Sequence, residues 1–514
     1  MQQRNIVRAA GVVGGATLAS RILGYARDMV IAYYFGTATA ADAFFVAFRI
    51  PNLFRRLFAE GSLTVAFIPI FSEYLIKESK KDAFEFANVV FTFLSIILVI
   101  LCCLGITFSP LIVKVMAWGF ADDKSKFDLT VLLTRIMFPY IFFISLVALC
   151  MGILNSLKHF AAPALAQVLL NIAMILSVII LMPYLSRPVL SLSFGVIAGG
   201  VLQLALQIPF LRKKGVNLRI SFNFAHPGLR KLLKLMIPAV FGAAVYQFNI
   251  MIITLLASFL PAGSVSYLYY SDRIFQFPLA LFGIALATAS LPTMSDLVAH
   301  NKTDELKKTL SYALRMVLFI TIPAMVGLAL LRMPIVTALF QRGVFTAHST
   351  LLTSQALFCF SVGLWAVAAV RVVVNVFYAL QDIWTPVKVA IVSIACNLIF
   401  SLLLMQYMNH AGLALAVSLS AMINLILLLI ILRVRLGRLG IKNIMYSLGK
   451  VVLSSTLMGV AVYLSYYKFP LSDIAALGVS ILIGIVVFIV CSYLLKCEEL
   501  LSLLDNSKFG KIKT

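Results

Sequence analysis

Long apolar runs recur along almost the whole chain, separated by short polar or basic stretches. A window of about 19 residues marks fourteen spans at 9–35, 40–74, 84–108, 129–154, 161–182, 190–211, 232–259, 264–292, 309–331, 350–378, 385–407, 412–433, 446–466 and 473–495. About 20 apolar residues in a helix cross the hydrocarbon of a bilayer, so the pattern predicts an all-α polytopic membrane protein with 14 transmembrane helices. The second span is too long for one straight crossing, and Pro51 near its middle permits a kink. Basic Arg4 and Arg8 followed by the apolar run 9–19 resemble a signal peptide, but Arg21, Arg27 and Asp28 follow at once and the apolar pattern resumes to Phe35. The pattern predicts an uncleaved first span.

Composition agrees with lipid as the main solvent. The chain has 62% hydrophobic and 12% charged residues and a mean hydropathy of +1.04, against roughly 25% charged in a soluble domain. No soluble fold hides that much apolar surface. The net charge of +23 does not point to nucleic acid, because the basic residues sit in short loops rather than on an aromatic-studded soluble face. One set of loops holds Lys77, Lys80, Lys81, Arg212, Lys213, Lys214, Arg219, Arg230, Lys231, Lys302, Lys307, Lys308, Arg433, Arg435, Arg438 and Lys442. The alternate loops are poor in basic residues, so the first set and both termini are expected in the cytoplasm.

The most basic loop, 212–231, splits the first twelve spans six and six. A shift of 223 residues aligns Pro69-Ile-Phe-Ser-Glu73 with Pro292-Thr-Met-Ser-Asp296, and Pro163 with Pro386. Six spans is an even number, so two such lobes share one orientation and are related by an axis along the membrane normal, an architecture of transporters. The expected organisation is an N-terminal six-helix lobe at 1–215, a second at 216–440 in parallel pseudo-two-fold repeat, and two C-terminal helices with a tail at 441–514.

The informative chemistry is charge inside the spans, which costs roughly 2.5–3.5 kcal/mol per residue on insertion scales. Arg21 lies twelve or so residues from either end of its span, about 18 Å of helix, too far to reach the headgroups. It must face water or a partner. Arg21 and Asp28 are seven apart and share a stripe with Arg27 on its flank; Gly11, Gly14 and Gly15 give the helix a thin side for packing or bending. In the second span Asp42, Arg49 and Arg56 repeat at seven residues, Arg55 sits beside them, and Glu60 can pair with Arg56 at i+4. The eighth span brings Asp272 and Arg273, whereas the seventh, equivalent to the first, has no arginine. Arg21, Arg27, Arg49, Arg55, Arg56 and Arg273 outnumber Asp28, Asp42, Glu60 and Asp272, so ion pairing alone leaves cations over. A wet cationic cavity for an anion, with arginine forks suited to phosphate, accounts for the surplus better than ion bridges that merely lock helices. Arg315 lies near enough to a span end to snorkel. The seven cysteines and five histidines show no ligand spacing, so no metal is expected, and the absence of a phosphate-cradling glycine loop argues against an ATPase.

Ser20-Arg-Ile-Leu-Gly24, Ala26-Arg-Asp28, Asp42-Ala-Phe-Phe-Val-Ala-Phe48, Pro51-Asn-Leu-Phe-Arg-Arg56, Phe58-Ala-Glu-Gly61, Tyr269-Tyr-Ser-Asp-Arg273 and Gln381-Asp-Ile-Trp-Thr-Pro386 resemble the MurJ (MviN) family of lipid II flippases over essentially the whole chain. The resemblance implies the multidrug/oligosaccharidyl-lipid/polysaccharide exporter fold and a transporter, not an enzyme. Its cargo would be the undecaprenyl-diphosphate-linked peptidoglycan precursor, carried from the cytoplasmic to the periplasmic leaflet of a bacterial inner membrane. It also implies a substrate cavity with Arg21, Arg27, Asp42, Arg55 and Arg273, and gating or ion-pair roles among Asp28, Arg49, Arg56, Glu60 and Asp272. The last two helices, 446–496, would form a groove for the polyprenyl tail. Lipid II, membrane lipids and cell-wall synthesis proteins are the partners implied. No cofactor is expected, with coupling to membrane potential or a monovalent ion; the seventh span carries Gln247 and Asn249 in place of the acid that binds sodium in some members. The alternatives weighed are a flippase for another lipid-linked glycan, a multidrug or cation antiporter of the same superfamily, which needs cavity acids, and a non-transporting scaffold.

Overall fold

The computed structural model describes residues 2–56, 63–468 and 473–504. Its elements among these residues are helical. The chain divides into two compact units, Met1–Ser266 and Tyr267–Thr514.

The first unit contains α1 (Gln2–Phe35), α2 (Thr39–Phe54), α3 (Thr64–Lys77), α4 (Lys80–Thr107), α5 (Ser109–Met116), α6 (Lys124–Met137), α7 (Tyr140–Ser156), α8 (Ala161–Leu181), α9 (Leu190–Lys213) and α10 (Pro227–Ser258). Helix α11 (Ser264–Pro278) begins at its end. The second unit continues with α12 (Ile284–Ala299), α13 (Thr303–Leu330), α14 (Arg332–Phe340), α15 (Ala347–Val362), α16 (Leu364–Ala379), α17 (Trp384–Leu436), α18 (Ile441–Lys468), α19 (Asp473–Leu494) and α20 (Glu498–Leu504).

Each expected span falls on a helix or on consecutive helices. The second falls on α2 and α3, which flank residues outside the described set. The fourth is α6 with α7, the eighth α11 with α12, and the tenth α15 with α16, bent by 40°. Helix α17 holds two spans, because Asn409 adopts a non-helical φ of 49° and breaks it at a kink. By length and hydropathy alone eight helices among the described residues qualify, or ten counting each bent pair once. Charged α1 is not among them, since its arginines and glycines lower its apolar average.

The 223-residue shift governs the helix boundaries. Adding 223 to the bounds of α4 gives 303–330, the bounds of α13. Shifted α1 ends at 258, where α10 ends, and shifted α8 begins at 384, where α17 begins. Caps follow too. Asp123 accepts from Lys126 N–H to start α6, and Thr346, its counterpart, accepts from Ser349 N–H to start α15. Lys158 and its counterpart Gln381 both take a left-handed φ of 58° after α7 and α16. A non-glycine residue rarely adopts that conformation, so its recurrence at one register position reflects one duplicated turn. The widened π-type turn at Leu279–Gly283 after α11 starts one residue past the shifted position of the widened turn that begins at Arg55 after α2.

Within the first unit, α8 packs on both α1 and α9, and α2 on α6. A core of Phe67, Phe71, Phe86 and Leu149 binds α3, α4 and α7, with stacked rings at 5.3–5.4 Å. Within the second, α13 packs on α16 and α18, and Phe319 meets Phe488 of α19 at 5.0 Å. A Cβ added at Gly14 or Gly15 would meet nothing. Among the described residues, nothing packs on the thin side of α1 at these two glycines.

Candidate functional site: charges at membrane depth

The intramembrane charges of the first unit fall into three environments. The first is closed. Arg27 and Asp28 are 6% and 0% exposed. Arg27 Nε and Nη2 donate to Asp28 Oδ1 at 3.0 and 2.7 Å, and Nη1 donates to Asn171 Oδ1 at 3.1 Å. Asn171 of α8 then returns its amide to Ser20 O at 3.1 Å and Gln167 O at 3.2 Å. A buried ion pair is tolerated only when its remaining donors and acceptors are met, and Asn171 meets one of them. Asp28 thus pairs with the adjacent Arg27, not along the seven-residue stripe with Arg21. Two turns of helix, about 10.5 Å, are too long for that stripe to close.

The second environment surrounds Asp42. Its side chain is 1% exposed and takes four donors: Lys126 Nζ at 3.1 Å, Gly263 N–H at 2.8 Å, Ser266 N–H at 2.9 Å and Ser266 Oγ at 2.7 Å. Lys126 is itself buried and lies 3.9 Å from the centre of the Phe120 ring. The sequence puts Lys126 in a loop. The structure puts it in the first turn of α6, with its ammonium turned inward to α2.

The third environment is open or half-open. Arg49 donates to Thr254 Oγ1 of α10, and Arg55 Nε to Asn52 Oδ1 at 3.1 Å. Both are half-buried. Arg21 and Arg56 are exposed and make no hydrogen bond or ion pair with the described residues. The expected partner of Arg56, Glu60, lies outside the described residues. The stripe Asp42, Arg49, Arg56 does not survive as one line, because the widened turn after Phe54 changes the register before Arg56 is reached.

In the second unit Asp272 accepts from Gln276 Nε2 at 2.5 Å. Asp272, Arg273 and Arg371 are half-buried and engaged by neighbours. Arg315, expected to snorkel, instead meets Glu498 at 2.5 Å and Glu499 at 3.4 Å on α20. Its guanidinium holds the Glu498 carboxyl below the usual range.

Sequence reasoning missed Lys126 and Asn171. Asn171 is neutral and lies 144 positions from Arg27, so no local spacing announces it. Lys126 follows the capping Asp123 and opens an amphipathic helix, which is the one local sign that its side chain could turn inward.

What survives is a protein with closed ion sites that fasten helices and, separately, cationic side chains left open at membrane depth. The family model for lipid II flippase MurJ matches residues 31–481. A lipid II flippase MurJ of Burkholderia cenocepacia is 39% identical over 84% of this chain and 84% of its own. A probable lipid II flippase MurJ of Rickettsia prowazekii is 37% identical over 96% and 98%. The solved structure of a lipid II flippase MurJ in an inward closed conformation has a TM-score of 0.80 at 29% identity, over 94% of this chain and 98% of its own. A multidrug MATE-family transporter in an inward-facing conformation has a TM-score of 0.71 at 15% identity, covering 84% and 98%, which extends the shared fold to that superfamily. The duplicated register, the open arginines and these matches lead to one statement: the chain belongs to the MurJ family of lipid II flippases.

Proposed function

We propose that this multi-pass membrane protein moves lipid II across a bacterial inner membrane, from the cytoplasmic to the periplasmic leaflet, by alternating access. The observation that carries the reading to particular residues is Arg21, an exposed arginine without a polar partner among the described residues, half-way along α1. A guanidinium there is costly unless it meets water and an anion, and a diphosphate offers paired oxygens to its planar fork. Arg21, Arg55 and Arg273 are the groups that take the diphosphate. Arg27 and Asp42 support them by holding α1 on α8 and α2 on α6. Arg49, Arg56, Asp28, Glu60 and Asp272 exchange partners as the cavity opens and closes. The polyprenyl tail stays in lipid, against α18 and α19.

No cofactor takes part in this scheme. Membrane potential supplies ~2.3 kcal/mol per charge moved through 100 mV, enough to bias the return of an emptied cationic cavity. Both termini face the cytoplasm, on the side of the basic loops.

Complementation tests the reading. A bacterium depleted of its own flippase should survive when given this gene, and should lyse when given Arg21→Ala or Arg273→Ala at equal membrane abundance. Full rescue by both variants would remove the cavity assignment. Lysis with the unaltered gene, despite normal expression, would remove lipid II as the cargo.

A further inference from the structure

The connection between α9 and α10 dips along the flank of α4. Residues 216–222 are non-helical. Arg219 N–H donates to Asn88 Oδ1 at 2.9 Å, and Ser221 N–H to Thr92 Oγ1 at 2.8 Å. Asn88 and Thr92 are four residues apart on a helix, about 6 Å, and two residues of extended chain span about 6.6 Å. The match lets successive N–H groups of one edge find successive turns of α4. The chain runs in the same direction as α4, away from Lys80 and toward the bilayer. Thr92 lies eight residues beyond 84, where the apolar run starts, about 12 Å along the helix.

At that depth the chain turns back. Phe224 lies edge-on to Phe93 and to Phe222, each at 6.0 Å. Asn223 Nδ2 donates to Glu85 Oε1 at 3.5 Å, and His226 stacks on Phe86 at 5.7 Å before accepting Gly228 N–H to begin α10. Val216 is buried and Leu218 packs against the core. Ile220 and Phe222, next in the same alternation, are each 70% exposed. Exposed Arg212, Lys213, Lys214 and Arg219 precede or flank this tip.

Two independent features therefore coincide. Bulky apolar side chains stand uncovered at the tip of a basic loop. The backbone beneath them, irregular beside the apolar run of α4, has two of its N–H groups, those of Arg219 and Ser221, taken by helix side chains, the kind of compensation that hydrocarbon demands and water does not. We propose that this loop is a lipid anchor. Residues 220–224 insert among acyl chains, and Arg212, Lys213, Lys214 and Arg219 hold the phosphates of anionic phospholipids. Only the choice of the cytoplasmic leaflet rests on the orientation proposed above.

The test uses the full chain in lipid nanodiscs, with Phe222→Trp and, as an independent reporter, Ile220→Trp. The emission added over the parent protein is challenged with acyl-brominated phosphatidylglycerol, acyl-brominated phosphatidylcholine and aqueous iodide. Both reporters should be quenched by brominated chains and shielded from iodide. Trace brominated phosphatidylglycerol should quench severalfold more effectively than trace brominated phosphatidylcholine, with about fivefold per engaged basic residue as the ceiling. That preference should fall toward unity when Arg212, Lys213, Lys214 and Arg219 are all changed to Gln. Iodide quenching as strong as for free tryptophan would place the loop in water and overturn the anchor. Shielding from all three quenchers would mean a protein covers it and would overturn the anchor too, and equal quenching by the two lipids would overturn the headgroup site.

Discussion

Asp42 offers a test in which a structural role and a substrate-binding role give opposite results. Replacing Asp42 by Ala removes the acceptor of four donors and leaves the Lys126 ammonium buried without its counter-charge. Breaking a buried pair from one side costs about 3–5 kcal/mol. The Phe120 face, 3.9 Å from Nζ, already holds the ammonium in the parent and so does not offset the loss, which should be ~3–5 kcal/mol. Lys126→Met alone should cost less, about 1.5–3 kcal/mol for one charge-assisted bond, because Gly263 and Ser266 still hold the carboxylate. In the double variant Asp42→Asn/Lys126→Met the amide keeps an acceptor and no charge remains buried. It should recover at least ~1 kcal/mol relative to the sum of Asp42→Asn and Lys126→Met. Thermal unfolding in nanodiscs across the full double-mutant cycle measures this coupling. Strict additivity, or an Asp42→Ala protein as heat-stable as the parent yet inactive in export, would refute the fastening role and leave Asp42 as a cargo contact.

Two further outcomes follow from packing and capping. A Cβ at Gly363 would stand 2.6 Å from Ser418 Cα and Oγ, so Gly363→Ala should force α16 from α17 and cost about 1–3 kcal/mol, read as a lower melting temperature, while Gly14→Ala, which meets nothing, should not. Asp382 accepts Thr385 N–H at 3.0 Å at the start of α17 and Arg435 Nη1 at 2.6 Å from its end. The Thr385 backbone and hydroxyl bonds, then Arg435, hold its carboxyl below the usual value of 3.8. A depressed carboxyl contributes stability above its unfolded pKa and loses it as pH falls through the folded one. Asp382→Ala should therefore lower the melting temperature at neutral pH, by a cap-sized amount of about 1 kcal/mol, and the difference from the parent should shrink as pH falls below about 3.8.

The spans and the duplication were legible because both are written in repeated apolar lengths. The 223-residue shift rested on a few aligned residues, such as Pro69 with Pro292, yet it carries helix ends, caps and the left-handed turns at Lys158 and Gln381. Charge stripes were legible only as candidates. Helical spacing put Arg21 with Asp28, but pairing was decided by Asn171 from another helix. Arg49 and Arg56 were separated by a widened turn that no propensity at Arg55 or Arg56 signals. The loop 216–226 read as basic linker, since two exposed apolar residues among four nearby cations look like ordinary solvated chain until Asn88 and Thr92 are seen to hold it.

The Asp42 cluster also has a timetable. Its carboxylate waits 84 residues for Lys126 and 224 residues for Ser266. At ~5–20 residues per second of synthesis, Ser266 emerges about 10–45 s after Asp42. Through that interval α2 must be kept in the insertion machinery, at the water interface, or with a protonated Asp42. Ribosome speed over residues 42–266 and the residence time of a nascent helix beside the translocon thus become determinants of whether this protein reaches its folded form at all.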